Sequence, residues 1–249
     1  MFRPVAIDLY VVHGSHPCAA VERALEMKGL AFRRIELPPP LHAPVQQVLF
    51  RARTVPAARM ADGERISGSR AIMQRLDEIA PEPRLWPSDP ERRALVERAE
   101  EWGEEVYQPI ARRLLWGALR RRPAALVSYA DGSRIPLPGP AIRAFAPAIV
   151  RAEVRLSGAS EGAVRADLRA LPRHLDRVDR WLADGVIGGP EPNAADLQIA
   201  TTTRLLLTIG DLAPFFRDRA GWSRPAAGRG RARAPRPRGP GRTARGRRS

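Results

Sequence analysis

The hydrophobic pattern of this chain changes near residue 85, and that change limits what the chain can fold into. Residues 5–79 alternate between short apolar runs and amphipathic segments, whereas no strand pattern follows LWPSDP at 85–90. A strand, a helix and a second strand in succession predict a parallel strand pair joined by a crossover helix. The sequence therefore predicts a small α/β domain followed by an all-helical domain.

The first part of the chain predicts the element order β-α-β, a loop with a short helix, then β-β-α. Residues 5–12 are apolar and β-branched, which is typical of a buried strand. Apolar residues at helical spacing predict a helix over 17–29 that ends at Gly29. The remaining predicted elements are a strand at 31–37, a loop at 38–44, two short strands around Asp62-Gly63 within 55–69, and a helix at 69–79.

The second part has helical periodicity almost throughout. The predicted helices cover 91–121, with a kink at Pro109, then 141–156, 160–183 and 193–209, with a Pro/Gly-rich excursion at 123–140. The segment 193–209 is too hydrophobic on all sides to be a surface helix. Asn193 and Asp196 at its start predict an N-cap with an acidic residue at the third helical position.

The net charge of +15 is concentrated at the end of the chain. Residues 223–249 contain ten arginines and no acidic residue, so the rest carries only +5. This segment has no aromatic or large aliphatic residue and is typical of a disordered arm. It is either passive or a non-specific binder of nucleic-acid phosphates, and we expect no other nucleic-acid binding.

Composition also bears on the compartment. A single cysteine, Cys18, cannot form an internal disulfide bond. No apolar run approaches the roughly 18 residues that span a bilayer, which argues against a membrane partner. We therefore expect a cytoplasmic protein.

Short motifs mark the boundaries of the predicted elements. They are Ser15-His16-Pro17-Cys18, Lys28-Gly29-Leu30-Ala31-Phe32, Thr54-Val55-Pro56-Ala57, Asp62-Gly63, Ile66-Ser67-Gly68-Ser69-Arg70-Ala71-Ile72 and Pro192-Asn193-Ala194-Ala195-Asp196. In this order and spacing they resemble the glutathione S-transferase superfamily, over roughly residues 5–215. The resemblance implies a thioredoxin-like domain at 1–82, a linker at 83–90, a helical domain at 91–222 and the tail at 223–249.

The resemblance also implies a thiol site at the start of the first helix. Glutathione, or another low-molecular-weight thiol, would be the co-substrate, and no metal is expected. Ser15 takes the exposed first position of the thioredoxin-type turn, where its hydroxyl can donate a hydrogen bond to a bound thiolate. Cys18 takes the more buried second position and is either a packed residue or the thiol of a redox site.

Two further motifs are implied to bind glutathione. The Val55-Pro56 peptide is cis in the family, and the Val55 backbone pairs with the cysteinyl backbone of glutathione. Ser69 is either the contact for the γ-glutamyl carboxylate or a plain helix N-cap. The residue before it is usually acidic, but here it is Gly68, which removes the carboxylate expected to hold the substrate's ammonium group.

Aromatic and acidic residues of the helical domain have two interpretations each. Trp102, Tyr107 and Trp116 either line a second, hydrophobic substrate pocket against the N-terminal domain or pack in the core. A run of acidic residues is interpreted as a solvated helix face rather than a site. The run consists of Glu97, Glu100, Glu101, Glu104 and Glu105.

Together these features predict a homodimeric transferase that joins a thiol to an electrophilic small molecule. One alternative is a non-catalytic binding module on the same fold, which Gly68 favours. The other is a thiol-disulfide or peroxide-handling protein that uses Cys18. The fold alone does not decide among them.

Overall fold

The first part of the structure is a four-stranded mixed sheet. The computed structural model describes residues 7–135, 138–217 and 219, so the predicted tail lies outside the described residues. The strands are β1 (Ile7–Val11), β2 (Phe32–Glu36), β3 (Ala57–Arg59) and β4 (Arg65–Ser67), in the spatial order β2-β1-β3-β4. β1 is parallel to β2 and antiparallel to β3, which is antiparallel to β4. This confirms the predicted thioredoxin-like α/β unit.

Three helices accompany the sheet: α1 (His16–Met27), α2 (His42–Phe50) and α3 (Ser69–Ile79). α1 is the crossover between the parallel strands, and α3 has the predicted bounds. The loop predicted at 38–44 is wrong at its end, because α2 already begins at His42. Pro44 falls in the first turn of α2, where a helix does not need the missing amide.

All described elements after residue 85 are helical, as predicted. None of the described helices combines the length and the apolarity needed to span a bilayer. Apart from short 3-10 turns, the elements are α4 (Pro90–Trp102), a π-helical turn (Gly103–Tyr107), α5 (Gln108–Arg121), α6 (Leu126–Tyr129), α7 (Gly139–Ser157), α8 (Glu161–Ala183), α9 (Ala194–Thr208) and α10 (Ala213–Phe216).

The segment 91–121 is interrupted near the predicted kink. Pro109 lies in the first turn of α5 and has no amide to donate to the preceding turn. The helix widens into the π-helical turn directly before it. A π-helical turn accommodates a backbone group that has no partner in the regular α-helical hydrogen-bond pattern.

The start of α9 confirms the predicted N-cap. The Asn193 side chain accepts hydrogen bonds from the amides of Ala195 and Asp196 at 2.9 and 3.1 Å, and the Asp196 carboxylate accepts the Asn193 amide at 3.0 Å. Asn193 Nδ2 also donates to the carbonyl of Val186 at 2.8 Å. The cap therefore stabilises α9 and anchors it to the preceding loop.

Helix α1 lies between the sheet and α9. Its buried residues share one apolar core with β1, and it packs along α3 and along α9 of the helical domain. Ala20, Val21, Ala24 and Leu25 are completely buried. Two of these four are alanines, whose small side chains let the neighbouring backbones approach closely. The N-terminus of α1 is thereby held at the boundary between the two domains.

The only lysine of the chain holds the other end of α1. Lys28 Nζ donates to Asp77 Oδ1 at 2.8 Å and to the carbonyls of Ala80 and Pro83 at 2.6 and 2.9 Å. The Lys28 side chain is fully buried. An ammonium has three donors, and all three are used, which a planar guanidinium could not reproduce in the same space.

We predict that Lys28→Met lowers the free energy of unfolding by about 3 kcal/mol or more, because it leaves Asp77 and two carbonyls without their partner. Urea unfolding followed by circular dichroism measures the change. The matched control is Arg23→Met, which removes an exposed ion pair with Glu26 on the same helix and should cost less than about 1 kcal/mol. Equal effects of the two substitutions would contradict the anchoring role of Lys28.

Candidate functional site

The N-terminus of α1 follows directly from the end of β1. Gly14 turns the chain with a φ of +75°, a conformation that side chains disfavour. Ser15 then takes the extended N-cap position, yet its hydroxyl makes no capping hydrogen bond. Pro17 lies in the first turn, where no amide is required. The positive end of the helix dipole and the half-buried Ser15 are thus presented together at the domain boundary.

Cys18 faces the interior. It is 2% exposed, and burial raises the pKa of its thiol to about 12. The Ser15 hydroxyl lies beside the thiol and opposes this shift only in part. A buried neutral thiol is a poor nucleophile. The structure therefore places Cys18 as a packed residue, one turn below Ser15.

The second predicted motif lies across from α1. The Val55–Pro56 peptide is cis, as predicted. Val55 lies beside the same cavity as Ser15, whereas Pro56 is buried. The Pro56 carbonyl accepts a hydrogen bond from the Gly68 amide at 3.0 Å. The cis turn is thereby joined to the start of α3.

Ser69 belongs to an internal polar network. It is 2% exposed, and its hydroxyl oxygen accepts a hydrogen bond from Gln198 Nε2 at 3.0 Å. Gln108 Nε2 donates to Gln198 Oε1 at 2.6 Å. The structure thus ties Ser69 to side chains of α5 and α9. Its hydroxyl does not line the cavity beside Ser15.

Glu104 brings a carboxylate to the start of α3. Its Oε1 lies 3.4 Å from both the Arg70 amide and the Ser69 hydroxyl. A Cβ placed on Gly68 would lie 3.9 Å from the same oxygen. Gly68 itself has a φ of +96°. The Glu104 carboxylate of the helical domain therefore lies next to Gly68, the position at which the family usually has an acidic residue.

A large cavity opens between the two domains beside Ser15. Its volume is about 820 Å³. On the N-terminal side it is lined by residues that follow β1, by the Pro-rich segment before α2 and by Val55. On the helical side its apolar wall includes Leu115, Trp116, Leu119, Ile142, Phe145 and Ile149. An apolar cavity with a few polar groups at a domain boundary is typical of a small-molecule site.

The three predicted pocket aromatics are not together. Trp116 lines this cavity, but Trp102 and Tyr107 do not. Instead, their rings stack with centroids 5.0 Å apart, and Trp102 also packs edge-on against Trp181. The Tyr107 hydroxyl shares a hydrogen bond with Thr203 at 3.0 Å. Both residues pack within the helical domain, on the side of α4 and α5 that faces α8 and α9.

Sequence reasoning missed a polar cluster in the cavity wall. It consists of His16 on α1, His42 on α2, Arg112 on α5 and Glu153 on α7. His42 Nδ1 and Glu153 Oε1 are 3.6 Å apart and neither has a hydrogen-bond partner. These four residues come from four different helices, and only His16 lies within one of the motifs identified in the sequence.

Burial shifts the protonation of this cluster toward neutral forms. Desolvation, helped by the Arg112 charge, lowers the pKa of His16 to about 3 and also lowers that of His42. Desolvation raises the pKa of Glu153 to about 7, although Arg112 acts in the opposite direction.

The run of acidic residues at 97–105 is not a solvated helix face throughout, as the sequence had suggested. Glu100 is fully buried and Glu104 is half-buried.

The described residues contain no group of three or more His, Cys, Asp and Glu side chains arranged to hold a metal ion. The site itself combines a helix N-terminus, a hydroxyl and an adjoining apolar cavity. Such a site can stabilise a small anion and hold an apolar molecule next to it.

Comparison with protein families agrees with this geometry. Residues 9–84 match the family model described as Glutathione S-transferase, N-terminal domain. Among curated proteins, none matches the sequence. The matched range covers the four strands from Leu9 onward and α1 to α3.

Several solved structures share the fold over most of the chain. Glutathione transferase F2 from Populus trichocarpa is 19% identical, with 87% of this chain and 89% of that chain covered at a TM-score of 0.58. The theta class enzyme from Xanthomonas axonopodis pv. citri, solved with glutathione bound, is 18% identical over 87% and 95% at 0.57. The beta-etherase LigF from a Sphingobium strain is 18% identical over 80% and 83% at 0.59.

We predict that native Cys18 reacts very slowly with a disulfide reagent at neutral pH. With a pKa near 12, less than about one thiol in ten thousand is ionised at pH 7.5. Absorbance of the released chromophore measures the rate, and the same protein unfolded in urea, which should react at once with one equivalent, is the control. Comparable rates in the native and unfolded protein would show that Cys18 is accessible and revive the redox hypothesis.

Proposed function

We propose that this chain transfers a thiol to an electrophilic small molecule. Its fold is that of the glutathione S-transferases, and its N-terminal domain matches the model of that family. The thiol is glutathione or a similar low-molecular-weight thiol. The observation that carries the proposal is the position of Ser15, at the N-terminus of α1 and beside a large apolar cavity. The thiol would bind at Ser15 and the electrophile in the cavity.

The proposed chemistry is nucleophilic attack by a bound thiolate. The helix dipole and a hydrogen bond donated by the Ser15 hydroxyl favour the ionised sulfur. The thiol proton goes to solvent. The sulfur forms a bond to the electrophilic carbon held in the cavity, and the bond from that carbon to its leaving group, such as chloride, breaks, so that the leaving group departs to solvent with the bonding electron pair. Stabilisation of the anion and positioning of the two reactants supply the rate enhancement. Backbone groups of Val55, beside the same cavity, would hold the thiol's peptide part as an added strand does.

Glu104 would take over a role that Gly68 cannot perform. In the resembling family an acidic residue at this point holds the ammonium group of glutathione. Here the Glu104 carboxylate lies 3.9 Å from where a Gly68 side chain would begin. We propose that Glu104 of the helical domain accepts the ammonium hydrogen bond in its place.

A non-catalytic binding module is the second candidate. It is favoured by the burial of Ser69, whose hydroxyl is engaged by Gln198 rather than presented to the cavity. Calorimetric titration with glutathione separates the two candidates, since the module need not bind a thiol.

We also propose that the chain forms a homodimer. Light scattering coupled to size-exclusion chromatography measures the mass of the assembly.

We predict that Ser15→Ala slows conjugation at least about tenfold, the rate equivalent of roughly 1.4 kcal/mol of lost thiolate stabilisation. The pKa of the bound thiol should rise, so the pH–rate profile should move to higher pH. Steady-state rates with glutathione and 1-chloro-2,4-dinitrobenzene between pH 6 and 9 measure both effects. The control is Ser128→Ala, an exposed serine that does not line the cavity, and an unshifted profile in Ser15→Ala would remove Ser15 from the mechanism.

We predict that Glu104→Gln weakens glutathione binding about tenfold, because a hydrogen bond between charged groups contributes roughly 1.5 kcal/mol or more. Isothermal titration calorimetry measures the dissociation constant. The control Glu105→Gln removes the same charge from the adjacent, exposed position. Tighter binding by Glu104→Gln would mean that Glu104 competes with the substrate's carboxylate, and the proposed role would be wrong.

A further inference from the structure

Among the described residues, the half-buried Arg112 in the wall of the interdomain cavity has no hydrogen-bond or ion-pair partner. Arg112 projects from α5 and is half-buried among the apolar cavity residues. Within the described part of the chain its guanidinium makes no hydrogen bond, and no carboxylate lies within 4.0 Å of it. The next residue, Arg113, is by contrast fully paired with Asp167 at 2.6 and 2.8 Å. A partly desolvated guanidinium whose five N–H donors are unused is able to bind an anion.

The nearest acidic group does not neutralise Arg112. Glu153 on α7 faces the same cavity and attracts Arg112 only from a distance. Its buried carboxyl has a pKa raised to about 7, so near neutral pH it is protonated in a large fraction of molecules. It also keeps one oxygen without a hydrogen-bond partner.

Apart from Glu153, no titratable group that acts on Arg112 supplies a negative charge. Burial raises the pKa of Cys18 to about 12, so its thiol is not an anion near neutral pH. The imidazoles of His16 and His42, whose pKa values burial lowers, supply no negative charge. Glu36, which lines another part of the cavity, is already engaged by Arg34 and by the Arg134 amide. Arginines at positions 53 and 155 are exposed at the cavity's rim and add positive charge.

We propose that the molecule accepted by this cavity is an apolar, aromatic-sized compound that carries a carboxylate, and that Arg112 binds this carboxylate. The inference rests on the proposed function and names the class of its electrophile. The apolar wall with Trp116 would hold the body of the compound, and Ser15 lies on the opposite, N-terminal side of the cavity. A guanidinium that binds a carboxylate in two parallel hydrogen bonds would orient the electrophilic carbon toward the thiol.

Such a site discriminates against neutral analogues. A ligand without the carboxylate leaves the desolvated guanidinium unpaired, which costs binding free energy that shape alone cannot recover. Arg112 is therefore proposed as a specificity-determining residue. Glu153 is proposed as its weak internal competitor, since its carboxyl is the acidic group nearest to Arg112 on the facing helix.

The test is isothermal titration calorimetry of the full chain with two probes of matched shape, 1-naphthoate and the neutral 1-naphthalenemethanol, at pH 7 without glutathione. The wild-type chain should bind 1-naphthoate at least about tenfold more tightly than the alcohol. Arg112→Met should remove this preference and leave the alcohol's affinity within about threefold, since methionine fills similar space without charge. Arg120→Met, on the same helix but outside the cavity wall, should keep the preference.

A second variant covers the case in which Arg112→Met does not fold, as judged by thermal melting. Glu153→Gln should bind 1-naphthoate at least as tightly as wild type, because the competing carboxyl is gone. Equal wild-type affinities for the two probes, a preference that survives in folded Arg112→Met, or loss of 1-naphthoate binding in Glu153→Gln would each overturn the proposal. Because this titration contains no thiol, its outcome does not depend on the proposed function. A naphthoate preference here, together with no conjugation of glutathione in the separate rate assay, would refute the proposed function and leave the anion site standing.

Discussion

The position of helix α1 is the constraint on which the rest of the structure depends. Its completely buried residues share one core with β1 and pack along α9, while Lys28 ties its C-terminal end to the end of α3. A helix held on both sides cannot shift without opening both domains. The N-terminus of α1, with Ser15, is consequently fixed where the two domains meet, and the adjoining cavity is formed by residues of both.

The electrostatics of that boundary follow from burial. In water, His16, His42 and Glu153 would titrate near their ordinary values, but in the cavity wall each is shifted toward its neutral form. Arg112 does not become neutral, because a guanidinium stays protonated at any accessible pH. A largely apolar enclosure thus retains the half-buried Arg112 guanidinium and a helix N-terminus, with two exposed arginines at its rim. We expect a carboxylate at Arg112 and a thiolate at the helix N-terminus.

Sequence patterns predicted what depends on local chemistry and failed where distant segments meet. The capping box at Asn193 could be predicted because its partners are within three residues. The interruption near Pro109 was predicted, but its π-helical form was not, since that depends on how the flanking helices pack. Glu104 was interpreted as part of a solvated face, because its contact with the start of α3 spans 34 residues. Arg112 is one of 41 arginines and is distinguished only by what surrounds it.

The central claim is that a thiol bound at the N-terminus of α1 is ionised at neutral pH and faces the interdomain cavity. Ultraviolet difference spectroscopy of the chain with glutathione, titrated from pH 5 to 10, measures it most directly through thiolate absorbance near 240 nm. The account predicts a thiolate signal that saturates with glutathione and titrates with a pKa at least about one unit below the ordinary thiol value near 8.5. A bound thiol that ionises only near 8.5, or no saturable signal at any pH, would contradict it.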